Sequence, residues 1–353
     1  MDSSRITNED RSPLFGASLE ELGRIAAAFG QPAFVSAQMA DWLYKKVVGS
    51  VDDMANLSKT FRGALAERYV LGRKAPEHES VSRDGTKKYL FGTGHGRFVE
   101  AAYIPESDRA TLCLSTQVGC KMGCLFCMTG KQGFQGNLGP GEIVNQFASL
   151  PERDRITNIV YMGMGEPLDN LENVLASLEI FTADWGFALS PRRITVSSVG
   201  IIPGLEAFLA RSECHLAISL HSPFDDERRS LMPVQNVYPL AEVLALLRSS
   251  PIARRRRISF EYIMFGGLND TPRHSRELVR ILNGIRCRVN LIRFHPIPDT
   301  PLQASPDSTL LAFEEQLRKA GVMTTIRKSR GQDILAACGL LSTKTQMSAV
   351  SAP

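Results

Sequence analysis

Residues 120–127 read Cys-Lys-Met-Gly-Cys-Leu-Phe-Cys, three thiols at C-x3-C-x2-C spacing in a glycine-containing loop. Thiolates are the usual ligands of iron–sulfur clusters. Three of them hold three corners of a 4Fe–4S cubane and leave the fourth iron open to a substrate. A zinc knot wants four protein ligands, usually in paired C-x-x-C units, and no nearby cysteine or histidine completes such a set. Three unrelated core cysteines at this spacing inside one loop is a poor alternative. The pattern assigns Cys120, Cys124 and Cys127 to a cluster.

A second kind of signal recurs where apolar runs end. Gly163-Met-Gly-Glu166 puts two glycines, which let backbone approach a ligand closely, beside a carboxylate that can accept from an amino group. Val118-Gly-Cys120, Ser197-Ser-Val-Gly200, Ser219-Leu-His-Ser222 and His295-Pro-Ile-Pro298 are similar stretches. One such motif alone is ordinary strand-to-helix turn chemistry. Five at consecutive strand ends point to one site.

The elements that must position them follow from periodicity. Strands are predicted over Thr111–Ser115, Asn158–Met162, Ile194–Ser198, His215–Leu220, Ile258–Met264, Val289–Arg293 and Thr324–Arg327. Helices are predicted between them, including Leu171–Ala183, Leu240–Ser249, Pro272–Leu282 and Pro306–Ala320, the last two with Pro at the first turn and Gly just past the end. Alternation of this kind means an α/β fold with a parallel sheet, open or closed as a full or partial barrel, and ligands then bind at the carboxyl ends of the strands. Before it, residues 1–72 carry helical apolar spacing, and residues 73–108 read as a β-rich connector of short alternating runs broken by Gly85, Gly92, Gly94 and Gly96. The core spans 109–345, and 346–353 reads as a loose tail.

With 353 residues and 43% hydrophobic content, the chain can bury a large core, and global disorder is excluded. No apolar run is long enough to span a bilayer, and Met1–Pro13 lacks the apolar core of a signal peptide. A cytoplasmic, membrane-free protein is expected. Seven cysteines, three of them clustered, then read as metal or redox chemistry rather than as a disulfide framework. The net charge of +4 permits a polyanionic partner without demonstrating one.

The cysteine spacing, with Phe126 before the last thiol, resembles the radical S-adenosylmethionine (radical-SAM) superfamily. Ala110-Thr-Leu-Cys-Leu-Ser-Thr-Gln-Val-Gly-Cys120, Met162-Gly-Met-Gly-Glu-Pro167, Leu216-Ala-Ile-Ser-Leu-His221 and Ala336-Ala-Cys-Gly339 resemble the RNA adenine methyltransferases RlmN and Cfr. The likeness runs almost unbroken from Arg109 to about Leu340 and more loosely through Trp42–Lys46 and Leu57–Phe61. It implies a partial (β/α) barrel radical-SAM core with an N-terminal helical accessory domain and a small β connector.

The resemblance also implies roles for residues that physics alone would leave in the core. Free cysteine is among the most buried residue types. The matching flanks nonetheless give Cys338 the part of a thiol methylated by one S-adenosylmethionine, and Cys113 that of the thiol that resolves the enzyme–RNA adduct through a transient disulfide. A second S-adenosylmethionine is cleaved reductively, so two are used per turnover. Glu100 matches the proposed proton acceptor. Gly165, Glu166, Ser197, Ser219, Leu220 and His221 are implied to lie against S-adenosylmethionine. His295 stands where the family usually has Asn, and imidazole offers one hydrogen bond per ring nitrogen in a different geometry. Cys214 and Cys287 match no motif and read as core.

The implied partners are ribosomal RNA, transfer RNA for some members, and an electron donor such as flavodoxin or ferredoxin. Arg192-Arg193, Arg228-Arg229, Arg254–Arg257 and Arg327–Arg330 are compatible with phosphate contacts, although a charge run is more often a solvated face. Two alternatives stand beside this reading: another radical-SAM enzyme that activates a partner protein by hydrogen abstraction, and a non-catalytic iron–sulfur RNA-binding protein. The first has no use for Cys113 and Cys338, and the second none for Gly165-Glu166. Carbon 2 or carbon 8 of adenine stays open, since the local motifs are mixed.

Overall fold

The computed structural model describes residues 11–251 and 253–343; the tail expected at 346–353 lies outside the described residues. The chain divides into two compact units. The first comprises the residues up to Pro76 together with Leu138–Asp154 and Glu172–Ser190. In it β1 (Ser12–Pro13) runs parallel to β2 (Tyr69–Val70), with helices over Leu19–Ala28, Val35–Ala40 and Lys59–Arg68 between them. Ser18 and Glu21 start the first helix with a reciprocal capping box that satisfies two otherwise unpaired backbone donors. Tyr44, wholly buried, donates its hydroxyl to Ala17 O at 2.6 Å and accepts from Gly16 N at 3.1 Å. Gly16, at φ +100°, packs backbone to backbone on Gly141, where a Cβ would collide.

The second unit is built on a ten-stranded sheet. Its strands are β3 (His78–Val81), β4 (Lys87–Gly92), β5 (Phe98–Pro105), β6 (Ala110–Cys113), β9 (Asn158–Tyr161), β10 (Ile194–Ser198), β11 (His215–Ser219), β12 (Ile258–Met264), β13 (Cys287–Arg293) and β14 (Met323–Ile326). A separate ribbon pairs β7 (Gln117–Val118) with β8 (Gly136–Asn137). β6 and β9–β14 pair in parallel, each beside its successor in the chain. The order of these parallel strands never doubles back, as successive crossovers of one hand produce. That is the arrangement of a partial (β/α) barrel. The stretch read as a connector is joined to this sheet, as β3–β5 extend it in antiparallel fashion beyond β6.

Burial alternates along the parallel strands as two-faced packing requires. Ile159, Tyr161, Ile194, Val196, Leu216 and Ile218 share one face of the sheet and are fully buried, whereas Val160, Thr195, Ser197, His215 and Ser219 share the other, lumen face and are half-buried. The helices Leu240–Ser249 and Pro272–Leu282 lie at their predicted bounds. Pro306 instead caps a helix over Asp307–Lys319, with ψ 146° keeping it outside the first turn. β6 stops at Cys113, before the predicted Ser115, because the next residues pair with the turn after β9: Gly163 N donates to Leu114 O and Thr116 N to Met164 O, both at 2.8 Å.

Candidate active site

The cysteine loop leaves the ribbon at Gly119, whose φ of +71° and close approach to the Gly133 carbonyl exclude a side chain. It is then pinned by its backbone. Leu125 N donates to Leu231 O at 2.9 Å, Cys127 N to Cys124 O at 3.2 Å, and Met128 N to Gly339 O at 2.8 Å. Cys120 and Cys124 are buried and Cys127 half-buried, and none forms a disulfide. Cys124 and Phe126 sit in an apolar cluster with Val199, Leu231, Ile263 and Phe265. The Phe126 ring meets His221 edge-on at 4.7 Å.

Burial pushes Cys120 up to about 12 and Cys124 well above its ordinary value, and the neighbouring thiols add to both shifts by mutual repulsion. A positive centre is what would hold such thiols ionised. Among the described residues no three His, Cys, Asp or Glu side chains converge on a single ion. A cubane, whose irons each take their own thiolate, accommodates thiols spread along one loop, so the donor set fits an iron–sulfur cluster.

Beside the loop, Gly163-Met-Gly-Glu166 makes the turn after β9. Gly165 has φ +99°, and a Cβ there would lie 2.6 Å from Gln117 Cβ. Gln117 accepts from Glu166 N at 2.9 Å and donates to Asn137 and Asp169. The Glu166 carboxylate is buried and accepts from Leu168 N and Val199 N, each at 3.0 Å. Burial raises its pKa to about 7, against the downward pull of Ser198 and those two amides. Ser198 is the serine that bonds Glu166 and Gly200, whereas Ser197 faces the lumen in register with Ala217.

Ser219 also faces the lumen, in register with Glu261. Leu220 is fully buried, and His221 follows with φ +57°. His221 Nδ1 accepts from Ile263 N at 3.0 Å, and burial with Arg228 nearby pushes its pKa down to about 3. The ring is therefore neutral, with its remaining proton on Nε2. His295, beyond the end of β13, is half-buried, its pKa lowered by burial and by Arg293.

The C-terminal segment completes the constellation. Cys338 is exposed at the tip of a turn closed by Leu340 N to Ala337 O at 3.0 Å, with Gly339 at φ +82°. Cys113, at the end of β6, is buried beside Ala102, Ala336 and Met162. Cys338 and Arg327 both act on it electrostatically, and burial is the main reason its pKa rises to about 12. Glu100 borders the Gly163–Glu166 turn through its backbone, its N donating to Met164 Sδ at 3.4 Å and its carbonyl accepting from Ser115 Oγ at 2.6 Å. It is fully buried, paired to Lys88 at 2.9 Å and accepting from Ser342 N at 3.0 Å. With Thr129 Oγ1 to Leu341 O at 2.7 Å, it ties down the segment that carries Cys338.

Sequence reasoning missed a polar network across the lumen. Glu261 accepts from Ser259 at 3.0 Å and Asn290 at 2.7 Å, and pairs with Arg327 at 3.4 Å. Arg327 also reaches Met162 Sδ at 3.3 Å. The available signal was a carboxylate in the apolar strand Ile258–Met264. Two arginines grouped with the surface charge runs belong to the interior: Arg327 lines the lumen, and Arg228 is fully buried. Arg192, Arg193, Arg229, Arg257 and Lys328 remain exposed.

Comparisons with known proteins agree with this arrangement. Residues 114–279 match the family model of the radical SAM superfamily, and residues 13–71 that of the ribosomal RNA large subunit methyltransferase N-terminal domain. The chain is 53% identical over 334 residues to a probable dual-specificity RNA methyltransferase RlmN of Parabacteroides distasonis, covering 95% of this chain and 97% of the relative. It is 43% identical to the dual-specificity RNA methyltransferase RlmN of Desulfotalea psychrophila, with 97% and 98% covered. A crystal structure of a radical SAM methyltransferase from Sphaerobacter thermophilus superposes with a TM-score of 0.88 at 39% identity, covering 94% of this chain and 99% of that one.

Proposed function

The chain belongs to the RlmN family of radical-SAM RNA methyltransferases, and from that premise we propose how its residues divide the work of methylating an adenine ring carbon in RNA. The family relation implies a 4Fe–4S cluster and S-adenosylmethionine as cofactors. Cys120, Cys124 and Cys127 would hold the cluster, which supplies an electron and an open iron for reductive cleavage of S-adenosylmethionine. Glu166 would accept from the amino group of that cofactor, with Gly165, Ser197, Ser219, Leu220 and His221 forming its walls and His295 at the rim. Two S-adenosylmethionine molecules serve each turnover, the first as methyl donor to Cys338.

The observation that carries this reading is the course of the segment bearing Cys338: its Ala336 packs on Cys113, and its Gly339 carbonyl accepts from Met128 N of the cysteine loop at 2.8 Å. An adenine ring carbon is not nucleophilic, whereas a deprotonated thiol is. Cys338, exposed at its turn, would take the methyl group and carry it to the base. Cys113 would then attack the Cys338 sulfur, forming an S–S bond as the sulfur–carbon bond to the product breaks. Arg327 lies where it favours the Cys113 thiolate against burial. Glu100 would serve as proton acceptor. A flavodoxin- or ferredoxin-type donor would supply electrons, with ribosomal RNA and transfer RNA as substrates. No helix among the described residues is long and apolar enough to cross a membrane.

Mass spectrometry of nucleosides tests this. RNA incubated with reconstituted enzyme, reductant and methyl-labelled S-adenosylmethionine should yield labelled methyladenosine, its retention time separating carbon 2 from carbon 8. Formation of 5′-deoxyadenosine with no labelled nucleoside from either RNA class would sink the RNA reading and keep the radical-SAM one.

A further inference from the structure

One buried cation is left unused by this division of labour. Arg228 lies on the helix Asp225–Leu231 and is completely buried. Its Nη2 donates to Val199 O at 2.9 Å and Ser219 O at 3.2 Å, just beyond the end of β10 and at the end of β11, and its Nη1 donates to Gln235 Oε1. Its Nε has no hydrogen-bond partner. Among the described residues no carboxylate comes within ion-pair distance of it; Asp225, which acts on it through space, gives an oxygen to Gln235 Nε2 at 2.8 Å. An interior charge without a counter-ion costs several kcal/mol, so a negative partner is expected.

That partner is the cysteine loop. The helix bearing Arg228 ends at Leu231, whose carbonyl accepts from Leu125 N, and Leu231, Val199 and Cys124 share one apolar cluster. Cys124 also does most to hold the guanidinium's charge up against burial, which pushes its pKa down to about 10. Arg228 is thus cationic at neutral pH.

We propose that Arg228 is a fixed counter-charge to the iron–sulfur cluster and raises its reduction potential, easing entry of one electron from a low-potential one-electron donor. The proposal rests on the reading that Cys120, Cys124 and Cys127 hold that cluster. Reduction adds one negative charge to an assembly whose three thiolates are already anionic, and a nearby positive charge in a poorly screened interior favours the more negative state. The three hydrogen bonds fix the guanidinium in place, so its field needs no reorganisation when the electron arrives.

The test is a potentiometric titration of the reconstituted holoenzyme followed by electron paramagnetic resonance, with viologens as mediators. Arg228→Gln removes the charge, and Arg228→Lys keeps it. Gln235→Glu leaves the arginine and places a counter-ion on Nη1. At the wild-type midpoint, Arg228→Gln and Gln235→Glu should each hold a reduced-to-oxidised ratio at least tenfold lower, a midpoint lower by at least about 59 mV for one electron. Arg228→Lys should stay within threefold of wild type. Iron and sulfide contents equal to wild type with an unshifted Gln235→Glu titration would overturn the proposal, as would Arg228→Lys shifting as far as Arg228→Gln. A wild-type protein that takes up no iron and sulfide would instead overturn the cluster reading beneath it.

Discussion

The cysteine loop and the Cys338 turn lie side by side, yet they are built on opposite terms. The loop is held by backbone: Gly119, Leu125, Cys127 and Met128 each have a fixed main-chain relation, and two of the three thiols are buried. The turn places its thiol in the open and is held mainly through its flanks, by Ser342 on Glu100 and Leu341 on Thr129. An inorganic group that must stay dry and still needs the first construction. A thiol that must meet a cofactor and then a nucleic acid needs the second. Rigidity and access are thus separated by a few ångströms rather than compromised within one loop.

Substitutions that strike one region and spare the other sharpen the contrast. Cys338→Ala should abolish methyl transfer while iron and sulfide contents stay at the wild-type level, and Cys124→Ala should lose the cluster itself; equal iron loss in both would erase the distinction. Next in size, Cys113→Ala should stop after about one turnover, with enzyme trapped on RNA as an adduct visible on a denaturing gel. Normal turnover would remove Cys113 from the cycle.

Glu100→Gln leaves Lys88 buried without its counter-charge, a change worth about 3–5 kcal/mol. Amide exchange should quicken across 334–343 and stay slow in 119–128. The smallest effect concerns pH. Glu166 has its pKa raised by burial to about 7, so it gains a proton as pH falls through that value and loses its attraction for an ammonium group. Binding of S-adenosylmethionine, followed by calorimetry, should weaken by about tenfold per unit below pH 7, and Glu166→Gln should flatten the profile. The same shift makes the folded state hold its proton where the unfolded chain has released it. This contribution to stability is therefore present below about pH 4.5 and lost as pH rises through about 7.

Much of this was legible in residue order. Alternating apolar runs located the parallel strands, because a strand covered by helices on one face must be apolar there. The three clustered cysteines and the Gly-Glu turn carried their own spacing. What periodicity could not supply was the hydrogen bonding around the turn, where Ser198, next to the lumen-facing Ser197, bonds Glu166. Nor could it separate interior from surface arginines. Arg228 and Arg229 are neighbours in the chain, yet one is sealed inside and the other pairs with Asp226 at the surface. Glu261 and Arg327 meet only because β12 and β14 flank β13, a relation that exists only once the sheet has formed.

The contact between Glu100 and Ser342 joins residues 242 positions apart. On a translating ribosome the chain emerges from its N-terminal side, so the cysteine loop leaves the exit tunnel long before Cys338 does. On the proposed division of labour, a chain that ends before Cys338 has the cluster loop without the acceptor thiol, and docking of the last segment onto Glu100 completes the pair. Assembly order alone would then keep a half-made enzyme from modifying the RNA of the machine that is synthesising it.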